Sequence, residues 1–202
     1  MTELAEESRD GLGEPDRKPK ARGHVPGDAS MWFFVIGDLI IFGVYFVGYM
    51  YYRTHDSGMF LQSQARLNLD IGALNTLVLL TSSLFVALGT SAARAGRPAD
   101  GVRLFGIAVA LGAAFPILKV FEYVPEITAG LTPGTNLFFM YYFVMTGMHL
   151  CHVLLGLVIL SFVVRNLRSA KPRISFVETG ATYWHMVDVL WLVLFGLLYL
   201  MR

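Results

Sequence analysis

Apolar residues gather into five long runs parted by short polar connections, at 31–52, 71–92, 102–120, 136–164 and 177–201. A hydrocarbon core about 30 Å thick takes roughly 20 helical residues to cross, and every run reaches or approaches that length. None alternates as a barrel strand does, and lipid leaves no partner for an unpaired backbone, so all five are read as helices. The fourth is longer than the bilayer requires and is expected to tilt. The pattern predicts an all-α integral membrane protein, a bundle of five transmembrane helices over residues 31–202.

Ahead of the first run, residues 1–30 are rich in Glu, Asp, Arg, Lys, Gly and Pro and lack the short apolar core of a signal peptide. They read as a disordered, uncleaved tail. Basic residues fix the expected orientation. Arg17, Lys18, Lys20, Arg22, Arg94, Arg97, Arg103, Arg165, Arg168, Lys171 and Arg173 fall on one side, against Arg53, Arg66 and Arg202 on the other, with Lys119 just inside that boundary. The positive-inside tendency therefore puts the N-terminus in the cytoplasm and, with an odd number of helices, the C-terminus outside. Trp32, Tyr51, Tyr52, Tyr123, Tyr141, Tyr142 and Tyr199 lie near predicted interfaces and are expected to anchor there.

Composition agrees: 55% of residues are hydrophobic and 15% charged, against about 25% charged in ordinary soluble domains. A net charge of +1 with scattered Lys and Arg gives nucleic acid no backbone footprint. The single Cys151 supplies neither a disulfide nor a CxxC pair. No internal repeat is visible, and five helices do not divide into the halves of many carriers, which disfavours a transporter.

Polar residues inside the runs carry the candidate chemistry. Asp38 lies seven residues into the first helix, where a carboxylate is costly unless protonated or partnered, so it is expected to face protein or a wet cleft. Gly72, Asn75, Ser82 and Gly89, with Leu79 and Val86, share a stripe on the second helix that suits close packing. Lys119 and Glu122, three apart in the third, suit a surface-level ion pair, and Pro125 is expected to close that helix. His149 and His152 in the fourth are placed for interhelical hydrogen bonding or, more weakly, for a metal. The fifth carries Glu178 near its start and then Trp184, His185, Asp188 and Trp191. There His185 and Asp188 are read as either a structural clamp or a proton-handling pair, and Trp184, Asp188, Trp191 and Phe195 form one face that should meet protein.

Four stretches together resemble a known family. Tyr142-Phe143, Thr146-Gly147, His149, His152-Val153 and Gly156 resemble the TG-x-H-x-x-HV-x-x-G element of subunit III of haem–copper oxidases, and Tyr183 to Leu192 looks like its closing W-H-x-V-D-x-x-W signature. Glu122-Tyr123 matches the EY pair of the preceding helix, and Asn75 to Ser83 resembles an NT-x-x-LL-x-SS stretch. Gly37-Asp38 departs from the usual Ser-Glu pair and resembles a short, five-helix branch found beside nitric oxide reductases and in some alternative oxidases; longer members have two further N-terminal helices.

The resemblance implies an accessory, non-catalytic subunit of a cytochrome c oxidase-type respiratory complex in the bacterial inner membrane. Such a subunit packs on catalytic subunit I, with subunit II as a further neighbour, and supports proton uptake. It holds phospholipid in a cleft between its first two helices and the rest. Asp38, Glu122, His149 and His152 become the proton- or lipid-related positions, and Trp184, His185, Asp188 and Trp191 the polar clamp. Haem and copper are expected on partner subunits and no cofactor or metal on this chain. The alternatives are an accessory protein of a nitric oxide reductase, and a self-contained redox or transport protein using His149, His152 and His185.

Overall fold

The structure, a computed structural model, describes residues 29–201. The disordered tail expected at 1–30 lies outside the described residues except for Ala29 and Ser30, which open the first helix. Arg202, counted for orientation, lies outside them too.

All described elements are helical: α1 Ala29–His55, α2 Ser57–Gln64, α3 Leu69–Arg94, α4 Pro98–Thr128, α5 Leu137–Leu167 and α6 Ile174–Phe195, with α6 running into a π-helical turn at Gly196–Leu200. Five of them are long and apolar enough to cross a membrane. Local chemistry sets their ends. Asn68 and Asn136 accept bonds from the first free amides of α3 and α5, and Pro98 opens α4, where an amide proton would go unused. Gly96 and Gly130, at φ 72° and 80°, close α3 and α4 in Schellman turns, with Arg97 N donating to Ala92 O and Leu131 N to Glu126 O.

Two expectations about α4 are corrected. Pro125 does not close it, since the helix tolerates one lost amide bond and runs on to Thr128 before Gly130 ends it. The helix runs past the predicted end at 120 because Glu122 and Glu126, which interrupt the apolar run, are buried and point inward. The short α2 was not foreseen; Asp56 caps it and Phe60, Ser63 and Gln64 face the bundle.

Helices α3, α4, α5 and α6 form a tight body in which the α3 stripe from Gly72 to Gly89 is buried, Ser82 Oγ donating to Ala108 O at 2.9 Å. α1 lies against α5 and α6 and touches them sparingly. This corrects the expected cleft between the first two membrane helices and the rest: α3 belongs to the body, and α1 alone stands off from it.

Two glycines make room for Trp184. A Cβ on Gly112 of α4 would sit 2.7 Å from one edge of its indole, and one on Gly156 of α5 would sit 2.8 Å from the other. The ring of α6 is thus clasped between two bare stretches of backbone.

Candidate functional site

Four groups of interior polar side chains stand out among the described residues. The largest lies at the end of the bundle away from the arginine-rich connections. Lys119, Glu122 and Glu126 recur at i, i+3 and i+7 on α4 and so share one buried face. Lys119 Nζ is 2.8 Å from Glu122 Oε2 and donates to the Tyr199 hydroxyl at 2.9 Å. Tyr142 Oη donates towards Glu122 Oε1 at 3.1 Å and Glu126 Oε1 at 3.3 Å, and Tyr199 also hydrogen-bonds Glu122. The ammonium lies 5.0 Å from the Trp191 ring and 5.2–5.5 Å from those of Tyr142, Tyr199 and Tyr123, so aromatic faces replace part of its lost hydration.

The expected surface-level pair is therefore a core pair. Tyr141, Tyr142 and Tyr199, expected as interfacial anchors, are buried, and Tyr123 is half-buried, whereas Trp32, Tyr51 and Tyr52 remain exposed. Glu126 lies beyond Pro125, the expected helix end, and so falls outside the predicted span. The spacing K-x-x-E-x-x-x-E on a membrane-crossing helix is the signal that finds it.

Next to this group, His149 is fully buried, stacked on Trp191 with ring centroids 5.2 Å apart and edge-on to Phe115 at 5.4 Å. Trp191 Nε1 donates to Thr76 Oγ1 at 3.0 Å. The third group joins α1 to the body: His152 Nε2 lies 3.4 Å from Asp38 Oδ2, with His152 Nδ1 2.7 Å from Met148 O and Phe42 edge-on to the imidazole. His149 and His152 thus face different surroundings and share no ligand position. Among the described residues no three His, Cys, Asp or Glu side chains converge as a metal site would need.

The fourth group lies on the α3–α6 seam. His185 Nδ1 is 2.7 Å from Ser83 Oγ and 3.9 Å from Asp188 Oδ2, too far for a hydrogen bond. The expected clamp is a His–Ser contact between helices, with Asp188 behind it, 4% exposed and without a hydrogen-bond partner for either carboxylate oxygen. At the arginine-rich end of the seam, Arg94 Nε meets Glu178 Oε1 at 2.8 Å.

The four motif stretches touch one another. Tyr123 of the EY pair lies 2.5 Å from Thr146 of the TG pair. Gly156 seats Trp184, Thr76 receives Trp191, and Ser83 meets His185. Five spans whose motif residues lock the helices to one another define a multi-pass membrane protein. The family model for cytochrome c oxidase subunit III matches residues 27–202, and the chain belongs to that family.

Curated relatives carry related names. Cytochrome c oxidase subunit 3 of Synechocystis is 35% identical over 174 residues, covering 83% of this chain and 72% of its own. Quinol oxidase subunit 3 of Bacillus spizizenii is 27% identical, covering 85% of each chain. Heme-copper oxidase subunit I+III of Aeropyrum pernix is 28% identical over 185 residues, which are 85% of this chain and 22% of that protein.

Proposed function

We propose that this chain is the non-catalytic subunit III of an oxygen-reducing haem–copper oxidase in a bacterial plasma membrane. Its N-terminus faces the cytoplasm, and it steadies the catalytic subunit and assists proton uptake. The observation that carries this reading is how the interior histidines and carboxylates are engaged. His149 is stacked on Trp191, Glu122 is ion-paired with Lys119, and His152 is turned to Asp38, so these side chains face different neighbours, as in a protein that supports chemistry done elsewhere. The relatives' oxidase names support oxygen rather than nitric oxide as the substrate of the complex. In this reading a phospholipid fills the seam beside α1, a role supported by how sparingly that helix touches α5 and α6.

The test is affinity purification of the tagged chain in mild detergent. A larger haem-bearing subunit should come with it, while the chain stripped of partners shows no Soret band. Stoichiometric haem on this chain alone would overturn the reading.

Asp38 is assigned the proton-related role. Asp38→Asn keeps a hydrogen-bonding group beside His152 but cannot titrate, so assembly should be normal while turnover falls roughly fivefold, equivalent to about 1 kcal/mol. Turnover identical to the parent across a pH series would make Asp38 a packing residue.

A further inference from the structure

We infer that the buried Lys119–Glu122–Glu126 face of α4 is a proton-binding site, in which Glu126 is held as a neutral acid and its proton passes to Glu122 through the Tyr142 hydroxyl. Such a site lies outside the accessory-subunit reading and stands whatever the chain assembles with.

The donors around the buried oxygens fall short unless Glu126 carries a proton. Tyr142 Oη faces Glu122 Oε1 at 3.1 Å and Glu126 Oε1 at 3.3 Å, and a phenol has a single hydrogen to give to one of them. Glu122 is well supplied, with Lys119 Nζ donating to Oε2 and the Tyr199 hydroxyl to Oε1. Glu126 Oε2 is buried and has no hydrogen-bond partner among the described residues. An ionised Glu126 would therefore leave one charged oxygen without a donor and set the other in competition with Glu122, an arrangement that burial penalises heavily. A proton on Glu126 Oε1 removes the conflict: Glu126 donates to Tyr142 Oη, and Tyr142 donates to Glu122 Oε1. The charges agree. The titratable groups around Glu126 are Lys119, Glu122 and Tyr123 on its own helix, Tyr142 on α5 and Tyr199 on the terminal turn, so a single ammonium stands between two carboxyls. Two carboxylates sharing such a site do not both stay ionised.

The same row of contacts lets the proton move. As the Glu126 O–H bond breaks towards Tyr142 Oη, the Tyr142 O–H bond breaks towards Glu122 Oε1; one carboxyl loses a proton, the other gains one, and the phenol is restored. The Lys119 ammonium, 2.8 Å from Glu122, holds the anion there and makes Glu126 the resting place of the proton. Glu126 is also the outermost of the three. It lies in the last turn of α4, which ends at Thr128, and is 7% exposed against 3% for Glu122 and 0% for Lys119. Exchange with water begins at Glu126.

The test is infrared difference spectroscopy of the purified full chain in its native assembly, parent minus Glu126→Gln, in H2O and in D2O. The difference should contain the carbonyl band of a neutral carboxylic acid, which moves to lower frequency in D2O and is lost in the variant, whose amide still donates to Tyr142. Raising the pH should convert that band into carboxylate bands. Tyr142→Phe reads the same site without removing the acid: the band should persist and move to higher frequency, because Glu126 loses the oxygen to which it donates. A difference holding only carboxylate bands at every pH would show an ionised Glu126 and overturn the proposal. A neutral-acid band that never converts as the pH rises would overturn the exchange, and a band unmoved by Tyr142→Phe would overturn the route. None of these outcomes bears on whether a haem-bearing subunit accompanies the chain.

Discussion

Lys119→Met is expected to destabilise the folded chain by about 3–5 kcal/mol, because it leaves the Glu122 carboxylate buried without its counter-ion. Methionine fills much of the lysine volume and keeps contact with the four surrounding rings, so what is lost is charge rather than packing. Glu126 increases the penalty, as a second carboxyl held through the same Tyr142 hydroxyl. Lys119→Met combined with Glu122→Gln should recover most of the loss, since replacing both members of a buried pair is often near neutral. Thermal unfolding of the purified complex, followed by loss of soluble protein, reads both variants. A single variant as stable as the parent, or a double variant no better than the single, would show that the pair contributes little.

Gly156→Ala is the second large effect, at about 1–3 kcal/mol for overfilling a packed site. The new methyl would meet Cε3 and Cζ3 of Trp184 at 2.8 and 2.9 Å. The ring can escape only towards Gly112, where the opposite edge already sits within 2.8 Å of a Cβ position. Gly112→Ala alone should therefore cost a similar amount, and the two together more than their sum, because the retreat open to each single variant is closed in the double. Trp184→Phe, by removing the second ring, should restore part of the double variant's stability. Additive losses, measured by the same unfolding assay, would mean that the indole is free to move.

The spans were legible because lipid demands long apolar runs and tolerates no broken backbone. Their ends were less so: inward-facing Glu122 and Glu126 interrupt an apolar run that the helix continues through. Spacing within one helix also finds neighbours but cannot rank them. It places both Lys119 with Glu122 and His185 with Asp188, yet the first pair is bonded at 2.8 Å and the second stands at 3.9 Å because Ser83 of another helix takes the imidazole. The partnership of Asp38 with His152 was out of reach, since nothing in a period of 3.6 residues says which distant helix will lie alongside. The motif stretches were visible as words, and the structure supplies the reason for their company: the residues of one are seats and hydrogen-bond partners for the residues of another.

The sparing attachment of α1 bears on the order in which the chain is completed. Asp38 finds its partner on α5, Phe34 lies against Tyr183 of α6, and the Tyr49 hydroxyl donates to the Leu197 carbonyl, 148 residues downstream in the terminal π-turn. The contacts that hold α1 to the bundle thus come from helices far along the chain, and none of the three can close before α5 and α6 stand beside it.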